Sequence, residues 1–183
     1  AAHLANAEDL CVMPYTSGTT GKPKGCIHRH RNVMHTAVAL ARWHGKHTEE
    51  RVLSVLPFFH VTGMQTGMNM PLFLGATLVV MSRWDREVAA KLIQRHRVTG
   101  WTTVPTIVVD LLSSADLQGG ELASLLSIGG GGAAMPRAVA EKLRVYCSLT
   151  YIEGYGLSET MAPSHINPTE RPKAQCLGLP IFD

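Results

Sequence analysis

The stretch from Tyr15 to Gly25 has the composition of a loop that holds phosphate groups. Its sequence, YTSGTTGKPKG, places three glycines, four serine or threonine hydroxyls and two lysines in eleven positions. Glycines let backbone N–H groups turn toward a ligand, hydroxyls add donors, and a lysine supplies a positive charge for phosphate oxygens. The stretch is not a Walker A loop, because two residues separate Gly18 from Gly21 and Pro23 follows Lys22. The alternative interpretation is a solvated surface loop.

Two more segments that could contact a ligand each follow an apolar run. Gly129 to Gly132 follows the run Leu125–Ile128, and GYGLSET, residues 154–160, follows the run Leu149–Ile152. Glu159 offers a carboxylate oxygen of the kind that Mg²⁺ prefers, although a single glutamate is more often solvated or a helix cap. Because ligand sites in α/β sheets lie where strands end in loops, we expect these segments to share one site with the loop above.

The elements that must position these segments alternate between strands and helices. Short apolar runs between stretches of helical periodicity predict an α/β fold with a mostly parallel sheet flanked by helices. The predicted strands are Leu10–Tyr15, Val52–Leu56, Leu78–Met81, Val98–Val104, Leu125–Ile128 and Leu149–Ile152. Four helices are predicted. The first carries the helical stripe Val33, Ala37, Leu40 and His44, and the second is capped by Asp85. The third has Pro105 in its first turn, and Pro136 opens the fourth.

The composition is that of one globular domain. The chain has 183 residues, of which 45% are hydrophobic and 17% are charged, and its net charge is +3. These values exclude a disordered chain and the strongly basic surface of a nucleic-acid-binding protein. The four cysteines form no CxxC pair, so we expect free thiols and a cytoplasmic location.

One uncharged stretch, Val61 to Ser82, is long enough to cross a bilayer. Pro71, Gly75 and several polar side chains interrupt it. We therefore predict a buried helix followed by a buried strand, and no transmembrane span.

Five motifs together resemble those of the adenylate-forming superfamily, which comprises acyl-CoA synthetases, luciferases and peptide-synthetase adenylation domains. YTSGTTGKPKG is similar, position for position, to the family's phosphate loop. Gly130 replaces a common serine, and Ser158 replaces a common threonine but keeps its hydroxyl. The resemblance covers the chain in the family's order. The other motifs are PFFHVTG (57–63), IGGGGAAMP (128–136), GYGLSET (154–160) and GLP (178–180).

The resemblance implies a ligase that activates a carboxylic acid, most simply a fatty acid, with ATP and then forms acyl-CoA. It implies ATP, Mg²⁺ and coenzyme A as cofactors or co-substrates, with Lys24, His60, Ser158 and Glu159 as catalytic residues and Glu159 on the metal. His60 would act as a gate or substrate contact, Ser158 would reach the α-phosphate, and Tyr155 would stack on adenine. The implied phosphate ligands are Thr16, Ser17, Gly18, Thr19, Thr20, Gly21 and Lys24, and the other implied nucleotide contacts are Gly131, Gly132, Ala133, Gly154, Tyr155, Gly156 and Ser158. Trp101, Val104, Pro105 and Thr106 lie where such enzymes build part of the acyl pocket, with ordinary sheet packing as the alternative.

The resemblance also implies how much of the family's N-terminal domain these residues cover. The family's Thr-Gly-Asp motif, which holds the ribose, and its C-terminal lysine are not found in these residues. We expect residues 1–183 to be one segment of the large N-terminal AMP-binding domain, with the upstream part and the C-terminal domain absent. Such a segment would not catalyse adenylation alone, and apolar surface exposed by truncation would favour self-association into a homo-oligomer.

Two alternatives from other classes stay open at this point. Gly129-x-Gly131-x-x-Ala134 fits a dinucleotide-binding oxidoreductase, with Glu153 about twenty residues on as the ribose ligand. A run of four glycines satisfies that pattern easily, however, and the pattern leaves the Thr16–Gly25 loop without a role. The second alternative is a metal-binding module, which the spacings His28-x-His30 and His44-x-x-His47 would allow. No cysteine or carboxylate cluster completes a ligand set, however.

Overall fold

A seven-stranded mixed sheet organises the chain in the computed structural model, which describes residues 4–18, 21–114, 117 and 120–182. The strands within these ranges are β1 (Leu10–Val12), β2 (Tyr15–Thr16), β3 (Lys24–Gly25), β4 (His28–Arg29), β5 (Arg51–Ser54), β6 (Thr77–Val80), β7 (Gly100–Thr103), β8 (Ser127–Gly130), β9 (Tyr151–Leu157), β10 (Ala162–Ile166) and β11 (Leu179–Pro180). The order across the sheet is β6-β5-β7-β8-β9-β10-β11. Strands β6 to β9 of this order run parallel, and β10 and β11 are added antiparallel. The α/β prediction is confirmed.

Helices cover both faces of the sheet. They are α1 (His30–Trp43), α2 (Val61–Met64), α3 (Met70–Leu74), α4 (Arg86–His96), α5 (Pro105–Leu112) and α6 (Arg137–Cys147). Helices α4, α5 and α6 pack with the sheet in the larger apolar core, while α1 and α3 contribute to a second core on β9 and β10. Shorter helical turns are a π-helical turn at Gln65–Asn69 and 3₁₀ turns at Gly120–Leu122 and Ser158–Thr160.

Local sequence signals start and stop these helices as predicted. The Asp85 side chain accepts hydrogen bonds from the backbone N–H groups of Glu87 and Val88, which caps α4. Pro105 is the first residue of α5, and Pro136 directly precedes α6. Gly75 ends α3 with a φ of 67°, a left-handed conformation that glycine adopts without steric cost.

The uncharged stretch 61–82 is a broken helix followed by strand β6, as predicted. The expectation that this strand is buried is wrong, because β6 lies at the edge of the sheet and Val80 is 56% exposed, although Val79 is buried. Within the described ranges, no helix has the length and apolarity needed to cross a bilayer.

Three strand predictions need correction. Leu10–Tyr15 is not one strand of the main sheet: β1 pairs only with β4, and β2 pairs with β3 as a separate hairpin. Pro14, which has no N–H to donate, lies between β1 and β2 and separates them. Strand β8 lies two residues later than predicted, and β9 continues through the Gly154–Leu157 segment because that segment pairs with β10.

Candidate functional site

The carboxyl ends of β8 and β9 carry glycines whose backbone forms a surface that we call the glycine floor. In the sheet register Gly130 lies beside Glu153. A Cβ atom on Gly130 would lie 1.7 Å from the carbonyl oxygen of Thr103, and one on Gly131 would lie 2.3 Å from that of Gly154. Only glycine fits at these contacts, because any side chain would collide with backbone. The glycine run therefore lets three neighbouring chain segments approach closely at this edge.

A cavity of about 220 Å³ opens at this floor. Its mouth is formed by Gly131, Gly132 and the segment Gly154–Ser158, together with His60. From there it continues between the sheet and the helices of the second core. The walls of that inner part are apolar and come from Leu40, Val52, Val61, Met70, Ile152 and Ile166.

Two ring side chains stand at the mouth of the cavity. His60 precedes α2, and its Nδ1 accepts a hydrogen bond of 3.2 Å from the backbone N–H of Thr62. Tyr155 is 42% exposed, and its ring contacts that of His165 edge-on at 6.3 Å between centroids. Both rings are thus held by neighbours while remaining accessible to a ligand.

The hairpin made by β2 and β3 carries the predicted phosphate loop. Gly18 and Gly21 have φ angles of 62° and 86°, which bend the backbone in the left-handed region. The Lys24 side chain lies over the start of the loop, since its Cδ and Cε are 3.9 Å from where a Cβ on Gly18 would be. Thr16 and Ser17 lie at the end of β2, whereas Thr19 and Thr20 lie outside the described residues.

The base of this hairpin meets the end of β9. The buried His28 of β4 places its Nε2 2.7 Å from the carbonyl oxygen of Ser158. Burial, and secondly the negative charge of Glu159, raise the pKa of the Cys26 thiol, which follows β3 directly. The two predicted phosphate- and metal-binding segments are therefore neighbours in space, although they are more than 130 residues apart in sequence.

The Glu159 carboxylate is exposed beside this junction. Among the residues that the structure describes, none forms a hydrogen bond or ion pair with it. No three His, Cys, Asp or Glu side chains converge as a metal site within the described ranges. A cation at Glu159 would therefore need most of its ligands from a bound molecule or water, as Mg²⁺ does in nucleotide sites.

Several predicted contacts lie away from the cavity. Val104, Pro105 and Thr106 are not part of its wall, and neither is the exposed Ala133. Pro105 begins α5. Trp101 does line the cavity, while its ring stacks on Trp84 at 5.8 Å between centroids, on the face that α4 and α5 cover. Ordinary packing is the better explanation for Val104, Pro105 and Thr106, and acyl contact by Trp101 stays a prediction.

Sequence reasoning missed the wall that α1 and α3 contribute. Leu40 and Met70 belong to apolar helix faces that any buried helix would have, so their types gave no functional signal. Thr102 also lines the cavity. The alternation along β7, with Gly100 and Thr102 on the opposite face from Trp101, is the one signal that could have identified it.

The Glu153 carboxylate accepts hydrogen bonds from the protein's own backbone. Its Oε1 accepts a hydrogen bond of 2.6 Å from the N–H of Gln175, and its Oε2 accepts one of 3.3 Å from the N–H of Met135. The side chain is buried. It therefore ties two loops to the sheet, and this argues against its use as the ribose ligand of a dinucleotide site.

A comparison with protein families identifies the family of this chain. The model of the AMP-binding enzyme family matches residues 1–183. This chain belongs to the AMP-binding enzyme family. Family membership accounts for the presence and the order of the motifs.

Curated proteins similar to this family member include two CoA ligases. A long-chain-fatty-acid–CoA ligase of Bacillus subtilis is 37% identical over 161 residues, which is 87% of this chain and 29% of that protein. The 4-coumarate–CoA ligase-like protein 9 of Arabidopsis thaliana is 35% identical over 179 residues, covering 94% of this chain and 32% of that protein. The chain thus spans about a third of the length of these relatives.

Solved structures support the same AMP-binding fold. The inhibitor-bound N-terminal domain of FACL13 from Mycobacterium tuberculosis superposes with a TM-score of 0.91 at 28% identity, over 100% of this chain and 46% of that one. ATP-bound MatB from Rhodopseudomonas palustris has a TM-score of 0.89 at 24% identity, over 97% of this chain and 35% of that one. The second likeness concerns the fold alone.

Proposed function

We propose that this chain is the nucleotide- and acyl-binding part of an AMP-forming acid–CoA ligase. The observation that carries the proposal is the single cavity that joins a glycine floor beside Ser158 to an apolar interior. A nucleotide phosphate and the carboxylate of an apolar acid could meet at such a mouth. The names of the two relatives support an acid–CoA ligase, and the apolar wall supports an acid with a hydrocarbon body, such as a fatty acid.

In the first half-reaction, a carboxylate oxygen of the acid attacks the α-phosphorus of ATP. The new oxygen–phosphorus bond forms as the bond from the α-phosphorus to the bridging oxygen breaks, and pyrophosphate leaves with that electron pair. The carboxylate and the triphosphate repel each other, so donors aimed at the phosphates must hold them together. We assign this task to the hairpin loop, with Thr16, Ser17, Gly18, Thr19, Thr20, Gly21 and Lys24 on the β- and γ-phosphates.

Ser158 and Glu159 would act at the junction of the hairpin with β9. The Ser158 hydroxyl would donate to the α-phosphate. Glu159 fits a magnesium ion because its oxygens are exposed and are not taken by any described residue. When bound there, Mg²⁺ would neutralise phosphate charge, and Glu159 would orient it relative to the hairpin.

The mouth of the cavity would hold the adenine and the acyl carbonyl. Tyr155 would stack on adenine, and the backbone of Gly131–Ala133 and of Gly154 to Gly156 would run alongside it. In the second half-reaction, the coenzyme A thiol loses its proton to solvent and its sulfur attacks the acyl carbonyl carbon. The carbon–sulfur bond of the thioester forms, the bond from that carbon to the phosphate oxygen breaks, and AMP leaves with that electron pair. His60 lines the cavity beside Val61 and Thr62, which supports assigning it the role of a gate or substrate contact.

We further propose that residues 1–183 are one segment of the N-terminal domain of this ligase. They would not be competent for adenylation by themselves, because the family's Thr-Gly-Asp motif and its C-terminal lysine are not among them. The four cysteines form no disulfide in the described structure, which supports a reducing cytoplasmic environment.

The test is acid-dependent exchange of radiolabelled pyrophosphate into ATP by the full-length protein that carries this chain. We expect exchange with apolar carboxylic acids, and an approximately hundredfold lower rate for Glu159→Gln, which keeps the shape but removes the charge. Glu170→Gln, at another exposed position, is the matched control and should exchange normally. Absence of exchange with any carboxylic acid would contradict the proposed function, and full activity of Glu159→Gln would contradict the metal assignment.

A further inference from the structure

The apolar cavity contains a cluster of polar side chains at the end away from its mouth. Lys46 and Glu50 form a buried ion pair, with 3.2 Å between Nζ and Oε2 and side chains that are 10% and 7% exposed. The Lys46 ammonium also donates to the Ser127 hydroxyl at 2.7 Å. His44, Lys46 and Ser127 all line the cavity. Burying such groups along an apolar channel is costly unless they are hydrogen-bonded.

The sheet register gives the distance between this cluster and the reaction centre. Gly100 of β7 pairs with Ser127 of β8, and three residues further along the same two strands Thr103 pairs with Gly130. Three residues of a strand span about 10 Å. The cluster therefore lies about one medium-length acyl chain away from the glycine floor.

The cluster offers donors that no described residue uses. An ammonium group has three protons. Lys46 pairs with Glu50 and donates to Ser127, which leaves one proton without an acceptor among the described residues. Ser127 accepts from Lys46, so its own hydroxyl proton stays available among the described residues. Both donors face a cavity that could contain a ligand oxygen.

Glycine at position 100 keeps space open beside the cluster. A Cβ there would lie 3.2 Å from the Lys46 Nζ, 3.4 Å from the Glu50 Oε2 and 3.4 Å from the Ser127 Oγ. The contact with the Lys46 Nζ is tighter than most side chains accept, and the other two are ordinary van der Waals contacts. The absence of a side chain on this cavity-lining residue therefore leaves the ion pair accessible from the channel.

The charge balance of the cluster selects the kind of group that it can bind. The positive charge of Lys46 is matched by the negative charge of Glu50. Burial, and secondly the charge of Lys46, lower the pKa of His44 to about 4, against a smaller opposing effect of Glu50, so that His44 is neutral at pH 7. A second carboxylate on the acid would be repelled by Glu50, and no unpaired cation would offset that repulsion. An uncharged oxygen would instead accept hydrogen bonds from two donors.

Building on the proposed function, we propose that the acid substrate carries an uncharged hydrogen-bonding group, such as a hydroxyl, about 10 Å from its carboxylate. The Lys46 ammonium and the Ser127 hydroxyl bind that oxygen. A plain fatty acid would leave both donors buried without a ligand partner, which makes it the poorer substrate.

Three acids of equal chain length test the proposal in the full-length protein: octanoate, ω-hydroxyoctanoate and octanedioate. We expect kcat/KM for acid-dependent pyrophosphate release to be about tenfold higher for ω-hydroxyoctanoate than for octanoate, and lowest for octanedioate. A channel that only excludes water would give the reverse order for the first two, because a hydroxyl loses hydration there. Octanoate equal to or better than ω-hydroxyoctanoate overturns the proposal, as does a preference for octanedioate.

Two variants link the preference to the cluster. Lys46→Met and Ser127→Ala should each bring the ratio of the two kcat/KM values close to one, while Lys91→Met, at an exposed position of α4, should leave it unchanged. If Lys46→Met fails to fold because Glu50 loses its partner, Ser127→Ala decides alone, since it leaves the ion pair intact. A preference that survives Ser127→Ala overturns the proposal. Inactivity of the unaltered protein with all three acids and with every other carboxylic acid would contradict the proposed function instead.

Discussion

At the scale of single residues, burial changes the acid–base behaviour of His44. This residue follows α1, lines the cavity and interacts electrostatically with Lys46 and Glu50. Burial and the neighbouring ammonium disfavour its protonated form and lower its pKa to about 4, while the Glu50 carboxylate acts in the opposite direction. Protonation of this ring would place a second positive charge beside Lys46.

This shift predicts a loss of stability in acid. Between pH 6.5 and pH 4 the unfolded chain binds a proton at His44 that the folded chain does not, so the free energy of unfolding falls as the pH is lowered. The loss attributable to this residue reaches about 3 kcal/mol at the lower limit. Urea unfolding at a series of pH values should show a flatter profile for His44→Gln. His47→Gln, at an exposed position, should keep the original slope, and equal slopes in both variants would contradict the assignment.

Residue types indicated the proposed nucleotide end of the site but not its far end. Hydroxyls, glycines and lysines concentrated in one loop are typical of phosphate sites, so sequence alone was enough to propose the Thr16–Gly25 loop as phosphate-binding. The polar cluster was not, because Ser127 is 81 residues from Lys46 and lies in an ordinary strand. Only the register of β7 and β8 brings these groups together.

At the scale of elements, the glycine run shows why strand boundaries were placed incorrectly. Glycine usually ends or weakens a strand, so the sequence favoured a loop from Gly129 onward. In the structure Gly129 and Gly130 continue β8, because the neighbouring strands approach more closely than a side chain would allow. Helix positions were predicted more accurately, since periodicity and capping residues such as Asp85 are local signals.

A pair of glycine substitutions tests this packing argument. Gly130→Ala should lower the free energy of unfolding by about 3 kcal/mol or more, because its Cβ would lie 1.7 Å from the Thr103 oxygen. Gly132→Ala meets only Val104 at 3.9 Å and should lose about 1 kcal/mol, from its φ of 84° alone. Chemical denaturation of both variants provides the measurement. Equal losses would show that backbone strain, and not close approach, explains the glycine at position 130.

At the scale of the whole molecule, the α/β class and the parallel part of the sheet followed from the alternation of apolar runs and helical stretches. The antiparallel edge formed by β10 and β11 did not, because short strands such as Leu179–Pro180 carry no periodic signal. The position of the β2–β3 hairpin also depends on tertiary contacts, in particular on the hydrogen bond between His28 and Ser158. That contact joins an early segment of the chain to the end of β9, 130 residues later.

The hairpin loop and Glu159 are proposed to bind the phosphates and the metal ion of the same metal–nucleotide complex. Paramagnetic broadening tests this most directly: Mn²⁺ replaces Mg²⁺ in a complex with ATP, and backbone amide signals of the labelled protein are followed as the complex is added. We predict that signals from Gly18 and Gly21 and those from Ser158 and Glu159 broaden together at the same concentration of Mn²⁺–ATP, while exposed Lys91 stays sharp. Broadening confined to one of the two segments, or to neither, would contradict the account.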